Sequence, residues 1–184
     1  MSINVLIPIA DGTEELEAVA IINVLRRAGA HVVIAGVKSK TITAARGVKL
    51  IADSLLLDCM ETFYNLIVLP GGVPGVNNLR DNDVLKDLLK RQFDTNKMIG
   101  AICAAPQEVL VFHGILDQQR ATGHPEFTEG IPNQEALAER VVVDGNLVTS
   151  QGAGTAIEFA LKLVELLFGH KKALEVAEKM VAAL

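Results

Sequence analysis

Apolar residues fall in two rhythms along this chain. Ile3 to Ile9, Leu66 to Leu69 and Met98 to Ile102 are short, nearly unbroken apolar runs, the pattern of strands whose sheet is covered by helices on both faces. Longer segments repeat at helical spacing. Leu16, Val19, Ala20, Val24 and Leu25 predict one broad core-facing side on a helix that ends near Ala28 and stops at Gly29. Asp83 to Phe93 sets Val84, Leu85, Leu88 and Leu89 against Lys86, Asp87, Lys90 and Arg91, a surface helix with opposite charges within reach. Ile157, Ala160, Leu161, Val164 and Phe168 predict the buried face of a long helix opened by Gly152-Ala153-Gly154-Thr155, and a last helix is expected over about Lys171 to Val181.

Between these lie weaker signals. His31 to Ala35 reads as a strand, followed by a turn around Lys38-Ser39-Lys40. Thr43 to Leu57 contains short strands, of which only Val48 to Ile51 is placed. Val141 to Val143 and Leu147 to Thr149, joined by Asp144-Gly145-Asn146, form a hairpin pattern. Glu14 follows Asp11 by three residues, as in a capping box, with Thr13 as the alternative cap. Pro106 is tolerated only in a first helical turn, so a helix over Ala104 to Phe112 must start close to Cys103. Strands alternating with helices predict an α/β domain with a mostly parallel sheet and right-handed crossovers, one domain over residues 1–184.

Composition narrows the function classes. Half the residues are apolar, with no Trp and one Tyr, so Leu, Ile, Val and Ala must build the core. The net charge of -5 and the absence of long basic runs disfavour a nucleic-acid partner. No run reaches the roughly 18 apolar residues of a membrane span, and the N-terminus does not read as a signal peptide. Cys59 and Cys103 lie far apart in unlike contexts, so free thiols and a cytoplasmic location are expected, with Cys59 a surface or interface thiol. Cys and His never fall at metal-ligand spacing, and neither GxGxxG after the first strand nor GxxxxGK[ST] is present, so no metal or cofactor is expected.

Candidate chemistry centres on Cys103. Gly100-Ala101-Ile102-Cys103-Ala104-Ala105-Pro106 passes from strand to helix with almost no loop, and its small neighbours leave room for a sharp turn. Such an elbow exposes a nucleophile and frees the next N–H for an anion, and a helix N-terminus favours the thiolate. A small buried cysteine at a strand end fits the same pattern. Glu17 sits on a row with Ala20, Ile21 and Val24, where lost hydration raises proton affinity; a boundary glutamate reaching water is the alternative. Gly71-Gly72 and Gly152-Ala153-Gly154 allow close backbone approach to a ligand. His124, held extended by Pro125, is the histidine placed to serve Cys103, whereas His31, His113 and His170 are explained as surface or capping residues.

These residues also carry a family likeness. Asp11-Gly12-Thr13-Glu14-Glu15-Leu16-Glu17, Leu69-Pro70-Gly71-Gly72, Ala101-Ile102-Cys103-Ala104-Ala105-Pro106 and Thr149-Ser150-Gln151-Gly152-Ala153-Gly154-Thr155 resemble the ThiJ/PfpI superfamily, and within it the branch of YajL and the Parkinson-linked protein deglycase. The resemblance covers nearly the full chain and implies a flavodoxin-like three-layer sandwich with a nucleophile elbow, and a homodimer with its active sites near the interface. By position, Cys103 resembles the family nucleophile and Glu17 its buried, protonated partner that hydrogen-bonds the sulfur. Gly72 and Ala104 look like the two backbone donors of an oxyanion hole, and His124 matches a histidine near the cysteine in many members. Gln151 stands where some members carry an arginine of an anion site, Ala153 where a proline is common. Arg46 matches an arginine near the dimer interface that would supply charge from across it. The resemblance implies a glutathione-independent glyoxalase and protein deglycase acting on small aldehydes or dicarbonyls, or on glycated protein, without a cofactor. The alternative is a non-catalytic oxidative-stress sensor or chaperone. A protease is a weaker third reading, because no third residue is identified to orient His124.

Overall fold

The computed structural model describes residues 2–183 and gathers the apolar runs into one seven-stranded sheet. β1 (Asn4–Ile9), α1 (Glu15–Ala28) and β2 (His31–Gly36) come first. An antiparallel hairpin of β3 (Thr41–Thr43) and β4 (Lys49–Ile51) then stands apart from the main sheet, which resumes with β5 (Ser54–Leu55) and β6 (Leu66–Leu69). α2 (Gly75–Arg80), α3 (Asp83–Asp94) and β7 (Met98–Ile102) follow, then a π-helical segment over Pro106–Val111, β8 (Val141–Asp144), β9 (Leu147–Ser150), α4 (Ala156–Phe168) and α5 (His170–Met180). The strand order is β5-β2-β1-β6-β7-β9-β8, and every pair is parallel except β8 with β9.

Alternation along the strands divides the core into two layers, giving the expected α/β sandwich. Val5, Ile7, Ile9, Leu66 and Val68 point toward α1, α4 and α5, while Leu6, Ile67 and Leu69 point toward α2, α3 and the elbow helix. Gly100 in β7 has no side chain because α4 packs there: a Cβ would lie 3.1 Å from Phe159 Cζ. The sheet order turns back at β1, which has β2 on one side and β6 on the other. In open α/β sheets such a reversal leaves a crevice beyond the carboxyl ends of the strands.

Several expectations change. The buried face of α1 is Glu17, Ala18, Ile21, Val24, Leu25 and Ala28, whereas Leu16 and Val19 are exposed. On α4, Ile157 is likewise exposed, and Phe159 and Leu163 take the core positions. Periodicity located both helices but misjudged their rotation, because apolar residues sit on more than one side of each. The cap of α1 is Glu14, whose carboxylate accepts the Leu16 N–H at 3.4 Å. Thr13 instead turns inward to accept the Ala10 N–H, and Asp11 accepts the Thr43 N–H. Cys59 is buried within the chain and donates its thiol proton to the Leu55 carbonyl, where a surface or interface thiol was expected. α2, with no amphipathic repeat in its six residues, went unpredicted; the burial of Val76 and Leu79 holds it in place. Among the described residues no helix is long and apolar enough to cross a membrane.

Candidate active site

Cys103 follows β7 at a φ of 65°, in the left-handed region that a non-glycine residue adopts at a cost of about 1–3 kcal/mol. Its backbone is held from both sides. The Cys103 N–H donates to the Ser150 carbonyl at the end of β9 (3.0 Å), and the Cys103 carbonyl accepts the His124 N–H (2.8 Å). The chain therefore turns sharply enough to present the side chain, half-buried, at the crevice.

Glu17 reaches this point from α1 and is fully buried. Its Oε2 accepts the Gly71 N–H at 2.7 Å, while Oε1 has no hydrogen-bond partner, which leaves Oε1 to hold the proton of the neutral acid. Burial pushes the carboxyl up to about 7, against the opposing pull of the Gly71 N–H and of the Cys103 side chain; the charge of Glu14 adds to the rise. The approach of the two side chains depends on Gly71, where a Cβ would lie 2.5 Å from Cys103 Cβ and 2.8 Å from Glu17 Oε2.

The backbone N–H groups of Gly72 and Ala104 border the same cavity as the Cys103 sulfur and favour its ionised form. Gly72 has a φ of 93° and packs on the start of α1, where a Cβ would lie 2.4 Å from the Glu14 nitrogen. A helix start alone was expected to lower the thiol. Burial and the negative charge of Glu17 instead push it up to about 12. When the proton resides on Glu17 that charge is gone, and the two N–H groups act on the thiolate without its opposition.

His124 stands in extended conformation ahead of a short turn at Pro125–Phe127. Its Nδ1 accepts the Glu126 N–H at 3.3 Å, so the ring proton of the neutral form belongs on Nε2. The ring lies over Gly152, where a Cβ would lie 3.6 Å from His124 Cδ2 and 3.9 Å from Glu17 Oε1. Cys103, Glu17, Gly72, Ala104 and His124 thus border one cavity of about 640 Å³, built from the ends of four strands and the loops after them.

Arg46 and Gln151 border the same cavity. Arg46 comes from the hairpin turn of the same chain, is exposed, and lies 4.0 Å from Glu14 Oε2. The Gln151 side-chain amide is committed to the Leu137 carbonyl at 3.1 Å. Three residues of the site escaped the sequence reading. Gly71 was noted only as flexible backbone, Glu14 only as a helix-terminal acid, and Arg140, which also borders the cavity, stands in a segment without a motif.

Comparison with known proteins identifies the family. The model of the DJ-1/PfpI family matches residues 3–166. Protein DJ-1 homolog B of Arabidopsis thaliana is 47% identical over 175 residues, 95% of this chain, which spans only 40% of that longer protein. The glutathione-independent glyoxalase DJR-1.2 of Caenorhabditis elegans is 39% identical over 172 residues, covering 91% of this chain and 89% of that one. The solved structure of oxidized DJ-1 from Toxoplasma gondii superposes over 100% of both chains with a TM-score of 0.97 and 41% identity. Fold, order of motifs and likeness along nearly the whole length lead to one conclusion: the chain belongs to the DJ-1/PfpI family.

Proposed function

We propose that this protein is a cysteine-dependent enzyme that converts small 2-oxoaldehydes, methylglyoxal in the first instance, to hydroxy acids without glutathione. The observation that carries this reading is the meeting of Cys103 with the buried Glu17 carboxyl across Gly71, where a Cβ would lie 2.5 Å from Cys103 Cβ and 2.8 Å from Glu17 Oε2, in a cavity that Gly72 and Ala104 also border. The name of the Caenorhabditis elegans relative supports the same chemistry.

The Cys103 thiolate adds to the aldehyde carbon, and the carbonyl electron pair moves to oxygen, where the Gly72 and Ala104 N–H groups receive the charge. Glu17 gives its proton to that oxygen and becomes the carboxylate that removes the proton from the same carbon. The proton returns to the neighbouring carbon through Glu17 or His124 and the hydroxyl proton passes to the neighbouring oxygen, leaving a lactoyl thioester on Cys103. Water cleaves the thioester, releasing lactate and restoring the thiol. A carboxyl that titrates near neutrality can serve as acid and then as base in one cycle. Glycated protein presents an equivalent carbon to the thiolate, and protein deglycase activity is the extension of this reading.

Two copies of the chain pair through α1 and the β3–β4 hairpin. Leu16, Val19, Val48 and Ile51 are exposed there, around a groove of about 510 Å³ that Val19, Ile22, Ile34 and Leu50 also line. Apolar side chains gathered on one face favour a protein partner over water.

Lactate formation from methylglyoxal, measured for the wild type and for Cys103→Ser, Glu17→Gln and His124→Ala, tests the enzyme reading; equal rates for wild type and Cys103→Ser would sink it. The two N–H groups and the Glu17 acid that receive an alkoxide would equally hold a cysteine sulfinate, which favours oxidant sensing as the second reading. Peroxide treatment followed by intact-mass measurement decides it. That reading fails if Cys103 gains no oxygen before the methionines do.

A further inference from the structure

Arg140, the residue before β8, borders the Cys103 cavity without taking part in the chemistry above. Its guanidinium is aimed by two contacts: Nε donates to Glu158 Oε2 at 2.7 Å, and Nη2 donates to the Gly154 carbonyl at 3.0 Å. Its carbonyl is tied to the end of β9 by the Ser150 hydroxyl (2.7 Å) and the Gln151 N–H (3.3 Å). Nη1 makes no hydrogen bond among the described residues, and the side chain is 56% exposed. An oriented guanidinium with open donors suits bidentate recognition of a carboxylate or phosphate.

The other charges of the lining single this residue out. Arg46 faces Glu14, which borders the same cavity and offsets its charge, and a single contact at 4.0 Å leaves its direction unset. Gln151 has committed its amide to Leu137. Glu158, bonded to Arg140 Nε at 2.7 Å, lies outside the lining and offsets part of the charge, while it fixes the guanidinium and leaves Nη1 open among the described residues. Glu126 is the exposed carboxylate that opposes it.

We infer that Arg140 is a specificity residue that selects electrophiles bearing an oxyanion, carboxylate or phosphate, on the side remote from the carbon that Cys103 attacks. For aldehydes this rests on the proposed function and names its preferred substrates as anionic 2-oxoaldehydes. The selection belongs to the rim of the cavity and acts on any electrophile that reaches the sulfur.

Iodoacetate and iodoacetamide deliver the same carbon to the sulfur and lose the same iodide, differing in one negative charge. The ratio of their rates at Cys103, followed by peptide mass mapping, cancels the thiolate fraction and reports the charge of the rim alone. Arg140→Gln should lower the iodoacetate-to-iodoacetamide ratio by about threefold to fivefold at low salt, Glu126→Gln should raise it, and Arg140→Lys should retain most of it. At 1 M salt, where screening acts within about 3 Å, the difference should close. The inference is overturned if Arg140→Gln keeps the wild-type ratio. It is equally overturned if Arg120→Gln, which removes a cation outside the cavity, lowers the ratio as much. If wild type makes no lactate from methylglyoxal while the ratio still shifts, the enzyme reading has failed and the selectivity stands.

Discussion

Glu17 Oε2 accepts the Gly71 N–H at 2.7 Å, joining α1 to the end of β6 beside the Cys103 side chain. This contact brings a carboxyl from the first helix against a thiol that follows it by more than eighty residues. It makes the proton on Glu17 a property of the fold as well as of the site.

Stability should therefore depend on pH through Glu17. Its pKa is raised from 4.5 in the reference state to about 7 in the fold, so between those values the folded state holds a proton that the unfolded state has released. The contribution is fully present below about pH 4.5 and is lost as pH rises through about 7, on the order of 3 kcal/mol in all. Urea denaturation at pH 5 and pH 8 should show a larger fall for wild type than for Glu17→Gln. Equal falls would mean that Glu17 does not change its protonation between those two pH values.

Gly71→Ala tests the close approach. The added methyl group must displace Cys103, Glu17 or both, with an expected loss of about 1–3 kcal/mol of stability and roughly 100-fold of turnover. A variant with wild-type lactate formation would show that the spacing of the two groups is unimportant.

Thiol reactivity should follow the charge on Glu17, which together with burial holds the thiol up. Glu17→Gln removes that charge, so iodoacetamide alkylation of Cys103 should set in at lower pH in the variant than in wild type. Identical pH profiles would show that the Glu17 charge does not act on the sulfur.

The exposed apolar face predicts the assembly. In sedimentation velocity the wild type should run at twice the chain mass of 19.7 kDa, while Val19→Glu and Ile51→Glu should shift toward a single chain, because a carboxylate cannot be buried there without a partner. A wild-type monomer at micromolar concentration would overturn the pairing.

Much of the architecture was legible in the chain because strand burial and turn chemistry act locally. The apolar runs that became β1, β6 and β7, the turn at Gly145 and the elbow at Cys103 were all readable, since each depends on neighbouring residues. Rotations were less legible. Leu16 and Val19 look like core in a one-dimensional repeat, and only the packing of α1 against α4 and the sheet assigns the inner face to Glu17, Ala18 and Ile21.

By itself the sequence determined a mostly parallel α/β sheet and singled out Cys103, Glu17 and His124 as candidates for chemistry. The tertiary structure decided that they meet, that Gly71 is what lets them meet, and that Arg140 and Glu14 border the same cavity. It also reversed the expected effect on the thiol, from a helix start that lowers its pKa to burial beside a carboxylate that raises it. The physical reason is range. Backbone preference and amphipathic period are set within a few residues, whereas desolvation and charge coupling depend on which distant segments the sheet order brings to one edge.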